Sequence, residues 1–142
     1  MVNLDLAKRY LQENGCTCVA FDGKTYLSST RRGVAPLLSW LEEGVLLDDF
    51  AVADKVIGKG AAFLYEKLGA KLIYARVISS PALELLQEKG CCVIYDKLVE
   101  GIQNREQTGP CPIESAVLSA VSADEALHRI RAKLQELQNR TR

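Results

Sequence analysis

The residues with the clearest chemical potential lie in the segment GPCPIESAV, residues 109–117, where Cys111 precedes a predicted helix. If Cys111 is the N-cap, Pro112 takes the first helical position, where its missing N–H has no cost, and Glu114 takes the third, as in a capping box. The positive end of a helix favours the nucleophilic thiolate form of a nearby thiol, whereas Glu114 opposes this effect with negative charge. The segment predicts a catalytic or redox thiol at Cys111, or alternatively a tight turn that buries a small thiol.

A second candidate is the glycine-containing stretch ADKVIGKGAAFLY, residues 53–65. We predict a short strand over residues 50–53, then a helix over residues 54–68 with Asp54 as its N-cap. Gly58 and Gly60 inside a helix each cost about 1 kcal/mol relative to alanine, so something should approach the backbone closely. That neighbour is another helix or strand, or an anion at the first turn, where Lys55 and Lys59 at i and i+4 would add positive charge.

Polar residues also occur where predicted strands and loops meet helices. Ser79 ends a predicted strand, at the edge where open α/β sheets bind ligands, and Ser80 is the predicted N-cap of the helix that follows. Asn104 and Arg105 lie in a polar loop before Cys111. Arg105 is suited to a carboxylate or phosphate, although a solvated loop arginine is the plain alternative.

The elements that would position these residues alternate between helix and strand. Residues 3–15 form a predicted helix with Asn3 as its N-cap and Gly15 as its stop, and Asp22-Gly23 predicts a β-hairpin. Residues 71–95 predict a β-α-β unit with parallel strands, 73–78 and 92–95. The order predicts a two-layer or three-layer α/β sandwich with a mixed sheet, a single domain over residues 1–142 in which 121–142 form a C-terminal helix.

Composition narrows the function classes. The chain has 142 residues, 48% of them hydrophobic, with 18 basic and 18 acidic side chains, so the net charge is zero. The missing basic excess makes nucleic acid an improbable partner. Apolar runs are too short to cross a membrane, and the N-terminus lacks a signal-peptide pattern, so we expect a cytoplasmic protein.

The cysteines and the single histidine argue against a metal centre. Five cysteines occur, at positions 16, 18, 91, 92 and 111, and their C-x-C and C-C spacings differ from the C-x2-C of structural zinc sites. We predict small buried hydrophobic residues rather than metal ligands or a disulfide framework. His128 is predicted to be solvent-exposed on the last helix. It is the only histidine, and this isolation argues against Ser-His-Asp and His-rich metal sites.

Three motifs carry a family resemblance. ADKVIGKGAAFLY, YARVISSPALELL (residues 74–86) and NR…TGPCPIESAV (residues 104–117) resemble a small prokaryotic family of domains of unknown function whose fold is like that of cytidine deaminases. The resemblance implies a cytidine-deaminase-like three-layer α/β/α sandwich with a mixed sheet.

The resemblance also implies what this chain lacks. Deaminases carry H/C-x-E at one helix mouth and P-C-x-x-C at the next, and these ligands hold the catalytic zinc. The corresponding segments here, Asp54-Lys55-Val56 and PALEL at residues 81–85, contain no thiol or imidazole. We therefore expect a metal-independent protein without a cofactor.

The crevice between those two helix mouths is the predicted binding site for a small, nucleotide-like ligand. Its predicted catalytic residues are Cys111, Glu114 and Asp54. Its predicted ligand-binding residues are Lys55, Gly58, Lys59, Ser79, Ser80, Asn104 and Arg105. The alternative is a catalytically inactive protein-interaction or oligomerisation module that forms homo-oligomers; the sequence leaves open whether the chain is an enzyme.

Overall fold

A computed structural model, which describes residues 2–140, gives an α/β protein built on one five-stranded mixed sheet. The strands are β1 (Cys18–Phe21), β2 (Tyr26–Ser29), β3 (Ala51–Ile57), β4 (Leu72–Ser79) and β5 (Cys92–Val99). Their order in the sheet is β2-β1-β3-β4-β5. Strand β1 runs antiparallel to β2 and β3, whereas β3, β4 and β5 are parallel.

The helices divide unequally between the two faces of this sheet. They are α1 (Val2–Glu13), α2 (Ala35–Glu42), α3 (Lys59–Leu68), α4 (Ser80–Glu88), α5 (Pro112–Val117) and α6 (Ala123–Arg140). On one face, α1 packs alone against β1 and β3 through a small apolar core. On the other, α3 lies at the centre of a larger core and packs against α2, α4, α5 and α6. Within residues 2–140, no helix is both long and apolar enough to cross a bilayer.

Several local predictions are confirmed. Gly15 follows α1 with a φ of 64°, in the left-handed region that glycine tolerates. Asp22 sits in the turn of the β1–β2 hairpin, where its Oδ1 accepts hydrogen bonds from the backbone N–H groups of Lys24 and Thr25. The β4-α4-β5 unit has the predicted parallel strands. His128 is exposed on α6.

The predicted start of the third helix is wrong. Strand β3 continues through Asp54 and Lys55 to Ile57, and α3 begins only at Lys59, with Gly58 as its N-cap in an extended conformation. The β-branched pair Val56 and Ile57 favours the strand, and tertiary pairing with β4 outweighs the helical pattern that follows. Lys55 and Lys59 therefore do not share a helix face, and Gly58 is not inside the helix.

The starts of two other helices also differ from the predictions. Helix α1 already includes Asn3, so this residue is not an N-cap. Ser79, rather than Ser80, caps α4: its Oγ accepts the N–H of Ala82 at 3.3 Å. Ser80 is the first helical residue, and its hydroxyl donates to the carbonyl of Val99. Helix α6 begins after Ser122, as predicted, and residues 141–142 of the predicted C-terminal helix lie outside the described residues.

The sheet has an irregularity at one level across three strands. The β3–β4 ladder passes from Asp54 to Val56 without pairing Lys55, and the β4–β5 ladder likewise omits Arg76 and Asp96. Val52 and Ile57 are five positions apart, yet both lie in the larger core. Because side chains alternate between faces along a regular strand, this odd spacing means that the alternation shifts by one residue at the level of Lys55.

Candidate functional site

Glu114 joins three segments beneath the carboxyl end of the sheet. The residue is 5% exposed, and Oε2 of its carboxylate accepts the backbone N–H of Lys59 at 2.7 Å and the hydroxyl of Ser79 at 2.5 Å. Oε1 accepts the N–H of Ile102 at 2.6 Å. We call this arrangement the Glu114 clasp. It links the first turn of α3, the N-cap of α4 and the loop after β5.

The clasp changes the interpretation of the predicted crevice between helix mouths. The N-termini of α3 and α4 do meet, but the space between them is filled by the protein's own carboxylate. This carboxylate satisfies the free N–H of Lys59 and complements the positive end of α3. Glu114 is therefore not a capping-box residue of its own helix, because its oxygens bind Lys59, Ser79 and Ile102 instead.

The same residues do not fit a zinc centre. The two helix mouths present Gly58, Lys59, Ser79 and Ser80, none of which has a thiol, imidazole or carboxylate to offer a metal. The one carboxylate between them already accepts three hydrogen bonds. Across residues 2–140, His, Cys, Asp and Glu form no group of three or more that could hold a metal ion.

Asp54 lies apart from the clasp, inside the sheet. It is 9% exposed, and its Oδ2 accepts a hydrogen bond from the hydroxyl of Tyr65 on α3 at 2.6 Å, while Oδ1 accepts the N–H of Val56 at 3.3 Å. Cys18 is directly opposite on β1. Burial raises the pKa of Asp54 to about 7, although the Tyr65 and Val56 hydrogen bonds act in the other direction. Burial, followed by the negative charge of Asp54, also raises the pKa of the Cys18 thiol.

Cys111 occupies the predicted N-cap position, but its side chain does not cap the helix. It is half-buried, and its thiol makes no capping hydrogen bond to α5, which has only 6 residues. Its backbone N–H donates to the carbonyl of Ile102 at 2.7 Å, and this hydrogen bond joins the two ends of the preceding loop. A nucleophilic role for Cys111 stays a prediction.

Asn104, one of the predicted ligand-binding residues, stabilises the loop after β5. The Oδ1 of Asn104 accepts the N–H of Thr108, and its Nδ2 donates to the Thr108 hydroxyl. Gln107, with a φ of 57°, completes the turn. Arg105 is exposed at its tip. The side chain of Lys59 is also engaged: its Nζ donates to the carbonyl of Leu118, at the end of α5.

An open groove lies between this loop and the carboxyl ends of β3, β4 and β5. We call it the strand-end groove; its volume is about 790 Å³. Its apolar lining comes from Val56, Val77, Leu98 and Ile102. Its polar lining includes Lys97, Gln103, Asn104 and Gln107. A smaller depression of about 390 Å³ lies at the opposite ends of β3 and β4, beside Asp48 and Asp49.

Comparison with known proteins gives the chain a family. The family model described as TM1506, a domain of unknown function (DUF1893), matches residues 6–134. The chain belongs to the DUF1893 family. Its fold is similar to the crystal structure of a DUF1893 family protein, TM1506, from Thermotoga maritima, with a TM-score of 0.85 and 28% sequence identity over 95% of this chain and 90% of that one. No curated protein matches.

The predicted site residues of this DUF1893 domain do not form a single site. Gly58, Lys59, Ser79 and Glu114 meet in the clasp. Asp54 belongs to a separate buried pair with Tyr65, and Asn104 lies in the groove. Sequence reasoning missed the groove because it proposed a helix over Val56 and so did not place this residue beside Val77.

Gly60 accounts for the close approach to the backbone that the sequence predicts. A Cβ at this position would lie 2.9 Å from Cγ2 of Ile113 and 3.6 Å from Cδ1 of Ile130, so α5 and α6 approach the backbone of α3. The close neighbour is therefore a pair of helices. Gly58 has a similar restriction, since its Cβ would lie 3.2 Å from Oε2 of Glu114.

We expect Gly60→Ala to lower the free energy of unfolding of the DUF1893 domain by about 1 kcal/mol. The clash with Ile113 costs about 1–3 kcal/mol and exceeds the gain of roughly 1 kcal/mol in helix propensity. Denaturant titration measures the change. Gly109→Ala is the control, because a Cβ there has no neighbour within 4 Å and should cause no loss. Equal or greater stability of Gly60→Ala would contradict the packing.

Proposed function

We propose that this chain is a non-catalytic binding domain on a deaminase-like scaffold, which takes a small, planar, nucleotide-like ligand in the strand-end groove without zinc. The scaffold is proposed because two adjacent parallel strands, β3 and β4, each lead into a helix, and the N-termini of both helices meet at Glu114. This is the relation that the deaminase resemblance implies for the two helix mouths. The Glu114 clasp moves the proposed binding site out of the crevice and into the neighbouring groove.

The observation that carries the proposal is the position of the groove. In open α/β sheets, ligands bind outside the carboxyl ends of the parallel strands, where loops meet. Here Val56, Val77 and Leu98 line the groove near the ends of three such strands. These aliphatic side chains offer a surface on which a flat ring can pack.

The polar rim supports a heterocyclic ligand in particular. Gln103 and Gln107 each carry an amide, which both donates and accepts hydrogen bonds and so matches the mixed edge of a nucleobase. Lys97 adds a cation suited to a phosphate or carboxylate. This set replaces the predicted set of Lys55, Lys59, Ser80 and Arg105, whose side chains do not line the groove.

Titration of the purified full chain with nucleosides and nucleoside monophosphates tests the proposal. We expect saturable binding by calorimetry, with NMR shifts centred on the groove. Gln103→Ala should weaken binding by about tenfold, which corresponds to one lost hydrogen bond. Gln87→Ala, on the exposed side of α4, should leave binding unchanged. The proposal fails if no compound in the series shifts the groove residues.

A second candidate function is self-association, favoured by the exposed apolar residues of β5. Ile94, Tyr95 and Leu98 on this strand are 37%, 39% and 44% exposed. Monomeric proteins seldom leave a long apolar edge strand uncovered. A module that acts by pairing with another chain would not require catalytic residues or a ligand.

A further inference from the structure

Strand β5 is an edge strand with one open side. It pairs with β4 on one side, and within residues 2–140 no strand pairs along the other. It has 8 residues, twice the 4 residues of β2 at the opposite edge. An edge of this kind presents backbone N–H and C=O groups to any strand that aligns with it.

The hydrogen-bond pattern identifies which backbone groups face outward. The N–H of Cys92 donates to the carbonyl of Lys71, the residue before β4, at 2.8 Å. In a parallel pair, alternate residues direct both their N–H and C=O toward the same neighbour. Cys92 and Ile94 therefore face β4, whereas Val93 and Tyr95 direct their backbone groups to the open side.

The regular part of this edge is apolar and ends before the charged residues. The β4–β5 ladder is continuous from Cys92 to Tyr95 and is interrupted at Asp96. We call residues 92–95 the edge segment. The side chain of Asp96 is hydrogen-bonded within its own chain, because it accepts the hydroxyl of Tyr74 at 2.5 Å.

We propose that the edge segment pairs antiparallel with the edge segment of a second copy, around a two-fold axis at Ile94, so that two sheets join into one. Val93 of each copy then forms a hydrogen-bonded pair with Tyr95 of the other copy, which gives two such pairs across the interface. The two Ile94 side chains face each other in a non-hydrogen-bonded pair, where side chains come closest.

The choice of a second copy as occupant rests on how the segment fits itself. With the axis at Ile94, the residues directly opposite Val93, Ile94 and Tyr95 are the apolar residues of the same segment in the second copy. Moving the axis to Asp96 or Lys97 would set identical charges directly opposite each other, which destabilises strand pairing. Moving it to Tyr95 would set Ile94, in the middle of the segment, opposite Asp96, whereas the axis at Ile94 leaves Asp96 opposite Cys92, the first residue of the strand. The net charge of zero leaves no overall repulsion between copies.

The inference rests on the second candidate function and does not depend on the strand-end groove. The test uses the full chain under reducing conditions, since Cys92 is exposed. Sedimentation velocity over a micromolar concentration series should show a reversible dimer. Ile94→Lys and Ile94→Glu should each weaken it by about a hundredfold, because two apolar contacts are lost and two like charges are brought together.

Mixing the two variants gives the decisive measurement. If the two residues at position 94 face each other, Lys and Glu should restore a heterodimer, which native mass spectrometry detects. Leu46→Lys removes a hydrophobic side chain that is 68% exposed elsewhere and should leave the dimer intact. Circular dichroism checks that each variant is folded.

Three results would overturn the inference. They are a monomeric wild type at every concentration, a dimer that persists in both single variants, and a mixture that stays monomeric. A monomeric wild type that still binds nucleosides would reject this interface and leave the groove proposal standing.

Discussion

Glu114→Gln is expected to lower the free energy of unfolding by about 3 kcal/mol, the largest effect of any conservative substitution at the clasp. The carboxylate accepts three hydrogen bonds, from Lys59, Ser79 and Ile102. An amide keeps one acceptor oxygen but turns its NH₂ group toward a donor, so at least one buried N–H or O–H loses its partner. The neutral side chain also loses its interaction with the positive end of α3.

Denaturant unfolding at neutral pH measures this effect. Glu106→Gln, an exposed change of the same chemistry in the loop after β5, is the matched control and should stay within about 0.5 kcal/mol of the wild type. A Glu114→Gln protein as stable as the Glu106→Gln control would show that the clasp does not hold the three segments together.

Asp54→Asn is expected to remove a pH dependence of stability rather than stability itself. Burial raises the pKa of Asp54 in the folded protein to about 7, well above the value of 3.8 that is ordinary for an aspartate in water. Between these values the folded state holds a proton that the unfolded state has released. Stability is therefore highest below about pH 4 for this group and falls as the pH rises through 7.

The slope of this loss approaches 1.4 kcal/mol per pH unit within the window, which gives roughly 4 kcal/mol in all. Asparagine cannot ionise, yet it can still accept from Val56 and donate to the hydroxyl of Tyr65, which acts as donor or acceptor. The free energy of unfolding, measured from pH 4.5 to 8, should lose this slope in Asp54→Asn.

Asp49→Asn is the control, because Asp49 is exposed and its replacement should keep the wild-type slope. The opposite sign is expected at Asp22, where hydrogen bonds from the Thr25 and Lys24 backbone lower the pKa. A wild-type profile that stays parallel to that of Asp54→Asn over the whole range would mean that Asp54 is ionised in the folded state.

The sequence predicts those elements whose signals are local. The turn at Asp22, the stop at Gly15 and the β4-α4-β5 unit each follow from residues that are neighbours in the chain. Asp54 shows the limit of such signals. A polar residue before a helical pattern indicates an N-cap, but pairing with β1 and β4 keeps it in a strand.

The candidate site depends on contacts that no local pattern reveals. Glu114 binds groups 12, 35 and 55 residues away along the chain, so its spacing from Cys111 indicated a capping box that does not form. The groove likewise depends on three strands that end at the same level. The residue types at the helix mouths carry information of another kind, because the lack of thiol and imidazole side chains at residues 54–59 and 79–85 is read from the sequence directly.

The buried pair of Asp54 and Tyr65 also affects how many protons the protein releases to the buffer when it unfolds. The formal charge of zero counts every aspartate as ionised, but a group with a pKa of about 7 is only half ionised at neutrality. Melting the protein at pH 7 should therefore release about half a proton from this site to the buffer. The apparent enthalpy of unfolding should accordingly differ between phosphate and Tris, in proportion to their heats of ionisation.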